Sequence, residues 1–356
     1  MNDVSSARSD RESWARELGI SREAAELYAS SDVIDLHIDT FIWTRIFGYD
    51  LRKRHGRGLF RGHFYGQADF PRVLEAGLSG ATWVITTNPL RTAAGRARAF
   101  GKNLARLRAI FESVSDRFQV VKNVAEYRRA RSANKHAAFI GIQGGNALDR
   151  DSGALDAVSD GTVLRITLVH LSSSSLGATS SPLKLVDGGL TERGREYVRE
   201  LNHRKIFVDL AHISPRGFWG AVEVHDRTQP LLVTHTGVSG VTPHWRNLDD
   251  AQLKAIADTG GTIGVMYQSS FLGDGTFSGR AESIAAHLEH IVKTVGDDHA
   301  SLGSDWDGAI SPPVDLRSCL ELPRLVEILL QRGFSPDAVR KILGGNFLRV
   351  VETLRG

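Results

Sequence analysis

Cysteine is almost missing from this chain: Cys319 is its only thiol in 356 residues. A single cysteine excludes an internal disulfide, and nothing around it suggests an activated thiol, so it reads as structural. Long apolar runs are missing too. No window approaches the ~20 apolar residues that span a membrane, and no hydrophobic C-terminal tail could be exchanged for a lipid anchor. Residues Met1 to Ser31 are polar and charged, without the apolar core of a signal peptide. These absences point to a soluble, cytoplasmic protein with no membrane partner. Charge of one sign is not in excess either: 44 basic residues face 41 acidic ones, for a net charge of +3. The pI near 9.0 therefore reports a small surplus and gives no reason to expect nucleic acid. The one basic cluster that stands out, Leu51-Arg52-Lys53-Arg54-His55-Gly56-Arg57 with Arg61 following, reads as a solvated loop rim rather than a phosphate site. Internal repeats, low-complexity tracts and linkers are also absent.

What is present is an ordinary globular composition, 41% hydrophobic and 24% charged. The length exceeds a typical domain but suits a single α/β barrel, which runs to roughly 250 residues or more with insertions. Eight short apolar runs read as strands: 33–37, 80–87, 137–142, 163–169, 205–210, 230–234, 261–266 and 300–304. Each is a continuous buried run rather than an alternating one, the pattern of a parallel sheet covered on both faces. Helical periodicity fills the gaps at 70–77, 91–115, 190–202, 215–226, 249–258, 281–295, 320–332 and 336–354, and a leader helix covers 9–30. Phe41 to Gln67 has no sustained period and reads as a long loop, a kind that is usually functional or mobile. An open doubly wound sheet would place a glycine-rich turn after its first strand, and none follows Val33 to His37. The reading is one (β/α)8 TIM barrel over residues 1–356, with 1–31 as a helical leader packed on it.

In such barrels the chemistry sits at the carboxyl ends of the strands. Those ends carry His37 and Asp39, Gln143, His170, His212, His235 and Asp305. Taken singly each has a bland alternative: Asp39 could cap the next helix, and any one histidine could be a satisfied core residue. Four of the thirteen histidines ending strands, together with two aspartates, instead point to a metal centre. Imidazole and carboxylate without thiolate suit zinc, or less often manganese, iron or cobalt. Such a centre lowers the pKa of water and polarises a carbonyl. Asp305, opposite the ligands, is placed to take the proton of that water and hand it to a leaving amine. The reaction class is metal-assisted hydrolysis of an amide or similar acyl bond.

From Val33 to the C-terminus the sequence resembles the renal (membrane) dipeptidases, a branch of the amidohydrolase superfamily. The resemblance rests on Asp35-Leu36-His37-Ile38-Asp39, on residues 141–148 around Gln143, on 164–170 ending in His170, and on 189–196. It continues through Val208-Asp209-Leu210-Ala211-His212, His235-Thr236, His244-Trp245-Arg246-Asn247 and Gly303-Ser304-Asp305-Trp306-Asp307-Gly308. It implies two zinc ions, one held by His37 and Asp39 and the other by His212 and His235, bridged by a carboxylate from the third strand. It also implies that His170 steadies the scissile carbonyl oxygen and that Arg246, with Asn247 beside it, binds the substrate's terminal carboxylate. A guanidinium suits that task through two parallel hydrogen bonds.

The chain departs from the family at the bridge, where Gln143 replaces glutamate; Asn146, where the family often has histidine, is a milder departure. An amide offers one neutral oxygen and an NH2 donor where a carboxylate offers an anionic oxygen to each cation. Two dications with Asp39 and a hydroxide sum to +2 with Gln143, against +1 with glutamate, so two close cations are harder to hold. The expectation is a zinc dipeptidase acting on small dipeptides or dipeptide-like amides, with one ion or two. The alternatives are a binding homologue that has lost turnover, or an amidohydrolase acting on a lactam, lactone or N-acyl amino acid. The oligomeric state is open, a homodimer included.

Overall fold

The computed structural model describes residues 11–56, 60–151, 153–182 and 188–356. Nine strands lie in one parallel sheet: β1 (Ile34–Ile38), β2 (Gly80–Thr86), β3 (Phe118–Val120), β4 (His136–Gln143), β5 (Val163–Thr167), β6 (Phe207–Asp209), β7 (Leu232–Thr236), β8 (Thr262–Val265) and β9 (Ala300–Leu302). Eight of them follow one another around a ring in the order β1-β2-β4-β5-β6-β7-β8-β9, while β3 pairs only with β4. The ring draws shut between β9 and β1. There the Asp305 N–H donates to the His37 carbonyl at 3.1 Å and the Asp39 N–H to the Trp306 carbonyl at 2.8 Å. Strand–helix alternation makes this the (β/α)8 barrel that the eight apolar runs imply.

Every residue of β1, β2 and β4 is buried, as strands covered on both faces require. Alternation along a strand sends Asp35 and His37 to one face of β1 and Ile34, Leu36 and Ile38 to the other. Ile34, Leu36, Phe139, Leu164, Phe207 and Leu232 form an apolar cluster with Phe347, Val350 and Val351 of the last helix. Arg165 of β5 meanwhile reaches the carbonyl of Leu36 and the ring of His37 on the non-adjacent strand β1. That reach crosses the barrel interior, so the inner face carries buried polar groups.

The element boundaries differ from the sequence reading where local geometry intervenes. The leader is two helices, Arg11–Leu18 and Arg22–Ser30, because Gly19 takes a left-handed φ of 63° and Ser21 caps the second helix through Ala24 N–H. Residues 9 and 10 of that reading lie outside the described residues, as do 57–59 of the basic stretch. The long loop begins with a helix, Phe41–Ile46. The short β3 and the helix Val124–Ser132 went unread between the second and third strands of the ring. The final helix is broken by a π turn, Lys341–Gly345, where a β-carbon at Gly344 would lie 2.5 Å from the Asp32 carbonyl oxygen. Among the described residues, no helix is long and apolar enough to cross a membrane.

Two glycines let β8 and β9 close around β7. A β-carbon at Gly303 would lie 1.7 Å from the Thr234 carbonyl oxygen, and one at Gly264 2.1 Å from the same atom. Gly101, inside the helix Ala93–Glu112, has nothing within 4 Å of its would-be β-carbon. Gly303→Ala should therefore destabilise the protein by about 2–4 kcal/mol. Gly101→Ala should stabilise it by about 0.5–1 kcal/mol, the helix-propensity difference. Thermal denaturation of the two variants checks both signs.

Candidate metal centre

The residues singled out at strand ends gather at the carboxyl end of the barrel. His37 lies in β1 and Asp39 just beyond it; Gln143 is the last residue of β4 and His235 the fourth of β7. His170, His212 and Asp305 each sit three residues past the end of β5, β6 and β9. His212 and Asp305 take left-handed φ values of 66° and 64°. Such conformations are uncommon for non-glycine residues and concentrate at functional sites. Here they turn both side chains back over the barrel mouth as the strands end.

The side chains converge. The rings of His37 and His235 have centroids 3.8 Å apart, and the His212 ring lies 4.8 Å from both His235 and His170. Nε2 of His212 and Nε2 of His235 are 2.8 Å apart, and the Gln143 amide faces them at 3.2 and 3.5 Å. Nε2 of His37 lies 3.4 Å from Asp39 Oδ2 and 3.6 Å from Asp305 Oδ1. His37, His235 and Asp305 each offer a ligand atom within 4.8 Å of the others. Asp39 does not cap the following helix; its carboxylate accepts the Thr86 hydroxyl at 2.7 Å, and that hydroxyl also lies 3.1 Å from Gln143 Oε1.

Burial dominates the electrostatics. It pushes the pKa of His37, His212 and His235 below the usual imidazole value, aided by the nearby Arg165 or Arg246, and takes His170 down to about 4. Burial, and then the neighbouring Asp39, push Asp305 well above the usual carboxylate range. Burial raises the Asp39 pKa, but nearby His37, the Thr86 hydroxyl and His170 together hold it below that range. His37 Nε2 has no hydrogen-bond partner at all. Neutral imidazoles crowded nitrogen to nitrogen, an orphaned ring nitrogen and two carboxylates without thiolate form a donor set that fits a divalent cation such as zinc.

Arg246 and Asn247 sit in the loop after β7 and behave differently from each other. Arg246 is buried and donates to the His235 carbonyl at 2.6 Å, leaving Nε without a partner. Burial lowers its pKa to about 10, so it stays charged at neutral pH. Asn247 donates its amide hydrogens to the carbonyls of Thr242 and Phe271, at 2.9 and 2.8 Å, while its Oδ1 is buried without a hydrogen-bond partner among the described residues.

A family profile for the membrane dipeptidases, peptidase family M19, matches residues 21–355. The chain belongs to that family. A dipeptidase of Claviceps purpurea, tcpJ, is 29% identical over 245 residues, spanning 69% of this chain and 57% of that protein. Among solved structures, the family M19 metallopeptidase dipeptidase AC aligns with a TM-score of 0.79 at 26% identity, covering 91% of this chain and 99% of that one. A metallopeptidase of Rhodobacter sphaeroides, solved with a phosphinate mimic of the dipeptide L-Ala-D-Ala, aligns with the same TM-score and coverage at 25% identity.

Three residues without an assigned role, Arg165, Asp209 and Thr234, hold the strand-end set in place. Arg165 and Asp209, both fully buried, pair at 2.9 Å. The Arg165 guanidinium also lies 2.8 Å from His37 Nδ1, and Thr234 lies between Asp209 Oδ2 (2.7 Å) and His235 Nδ1 (3.0 Å). The sequence signal was available: a charge inside an otherwise apolar strand, as in Val163-Leu164-Arg165-Ile166 and Phe207-Val208-Asp209-Leu210, must be paired. Asp209→Leu alone should cost about 3–5 kcal/mol by stranding the arginine charge. Arg165→Met together with Asp209→Leu should cost clearly less than the two single losses combined. Urea denaturation of the three variants measures the cycle.

Proposed function

We propose that this chain is a zinc-dependent dipeptidase that holds one cation firmly and a second only weakly. The observation that carries the reading is the convergence of His37, Asp39, His235 and Asp305 on one point of the barrel mouth. His37, Asp39 and His235 would hold the firm cation, with Asp305 within reach. His212 would serve the weaker position, helped by Gln143 once its amide turns its carbonyl oxygen toward the imidazoles. Charge favours this split. A dication with Asp39 and an ionised Asp305 is neutral, whereas a second dication has no carboxylate bridge at Gln143 to offset it. When bound, zinc polarises the scissile carbonyl and makes a nearby water more acidic.

The chain's own groups do the rest. Asp305 takes the proton of the attacking water and delivers it to the leaving amine. Burial raises its pKa, and a neighbouring cation lowers it again, which frees the carboxylate to take that proton. His170, kept neutral by burial, donates an N–H to the carbonyl oxygen. Arg246, fixed through the His235 carbonyl and still charged, meets the dipeptide's terminal carboxylate.

Metal analysis of the dialysed protein with a dipeptide panel that includes L-Ala-D-Ala tests this. About one equivalent of zinc should be retained, with turnover, and Gln143→Glu should raise the content toward about two and increase kcat. Less than about a tenth of an equivalent, with no turnover in added zinc, overturns the proposal. Full zinc retention and dipeptide binding without turnover would instead mark a binding homologue. Arg246→Ala should lower kcat/KM for dipeptides by roughly a hundredfold, the loss of a charge-assisted pair of hydrogen bonds. Hydrolysis of a lactam or lactone lacking a free carboxylate should be nearly indifferent to that change, which separates the two substrate classes.

A further inference from the structure

Beside the barrel mouth a cavity of about 460 Å³ opens between the helices Phe41–Ile46 and Ala93–Glu112. Five cations line it, Arg45, Arg91, Arg98, Lys102 and Arg106, and no lining residue is acidic. Arg98, Lys102 and Arg106 recur every fourth residue and so share one face of the long helix. Like charges at that spacing destabilise a helix by a few tenths of a kcal/mol per pair. The first turn of this helix holds no acidic residue to compensate.

Other arginines of the same helix show what ordinary pairing looks like here. Arg96 pairs with Asp149 at 3.0 Å, and Arg108 pairs with Asp160. In the basic stretch near residue 54, Arg52 pairs with Asp50 and Arg54 with Glu75. Among the described residues, none of the five cavity cations has an ion-pair partner. Arg45, half-buried at the inner end, is fixed instead by a hydrogen bond to the Thr86 carbonyl. The cavity is thus concave and positive: no acid lines it, although the buried Asp39 of the metal cluster acts on Arg45 electrostatically.

We propose that this cavity is a binding site for a compact polyanion, a small molecule bearing two or more phosphoryl or carboxyl groups. Its volume falls within the roughly 300–1,000 Å³ of small-ligand sites. The stripe from Arg98 to Arg106 is about 12 Å long at the helical rise, so a ligand with charges strung over several ångströms meets more than one cation. Guanidinium forks match phosphate and carboxylate oxygens two at a time. The site is independent of the dipeptidase reading, since none of its cations belongs to the metal cluster.

The test is calorimetric titration of the full chain with tripolyphosphate and, separately, citrate at about 0.15 M salt, where loose surface attraction is screened. Arg98→Ala, Lys102→Ala and Arg106→Ala together should weaken binding at least about tenfold. Alanine favours a helix, so the fold is kept; an unchanged melting temperature verifies this. The triple variant keeps the metal cluster, so heat from chelation is common to both proteins and cancels in the comparison. Binding of tripolyphosphate alone assigns the site to phosphoryl groups, and equal binding of citrate assigns it to clustered charge of either kind. Absence of binding at millimolar ligand overturns the proposal. So does a triple variant within about twofold of the parent, or an equal loss in the control Arg227→Ala with Lys254→Ala, two exposed cations elsewhere.

Discussion

The barrel mouth depends on one buried ion pair. Arg165 and Asp209 lie wholly out of water, and desolvating two charges is recovered only through further hydrogen bonds, which here reach every polar side-chain atom of the pair but Arg165 Nε. Asp209 accepts from the Thr167 and Thr234 hydroxyls and from the backbone of Ala211 and Thr234. Those contacts and Arg165 hold its pKa below the usual carboxylate range against its own burial. Arg165 in turn reaches Thr167, the Leu36 carbonyl and His37. The pair thereby stitches β1, β5, β6 and β7 together from inside and sets the ring planes of two proposed ligands. Arg165 lies 2.8 Å from Nδ1 of His37, and the ring turns Nε2 toward Asp39 and Asp305, 3.4 and 3.6 Å away.

A second buried acid closes the ring. Asp35 accepts from the backbone of His37 and Ser304, joining β1 to the end of β9, and burial lifts its pKa to about 7. The two left-handed residues stand where such anchors exist. The Asp305 N–H bonds the His37 carbonyl, and the His212 carbonyl accepts from Ser180 N–H at 2.7 Å. Backbone strain of about 1–3 kcal/mol per residue persists only where surrounding bonds over-determine it. A bond that closes the barrel therefore also holds Asp305, and the Ser180 bond holds His212, in the conformation that aims each inward.

The barrel was legible because strands buried on both faces are continuous apolar runs, and the strand-end residues because polar side chains at those ends break the pattern. What escaped was set by tertiary geometry. β3 is only three residues long and pairs with one neighbour, too short for any period to register. The kink at Gly19 turns on a single dihedral angle. That the Asn247 amide braces its own loop is likewise set by the fold rather than by any period in the chain. Arg165 and Asp209 lay within quoted motifs without a role, because pairing across the barrel is invisible along the chain. The basic stripe escaped for a related reason: cations four apart form no run in sequence and become a cluster only on a helix.

Gln143 gains meaning from these same constraints. A glutamate at the end of β4 would put a third carboxylate beside Asp39 and Asp305, in a pocket where burial and Asp39 already push Asp305 strongly toward its protonated form. Only cations could make that arrangement inexpensive, so a glutamate bridge ties the stability of the mouth to metal. The amide of Gln143 needs no counter-charge: one end meets the Thr86 hydroxyl and the other faces His212 and His235. In the proposed reading, glutamine in place of glutamate removes one unit of buried negative charge that a second cation would otherwise balance.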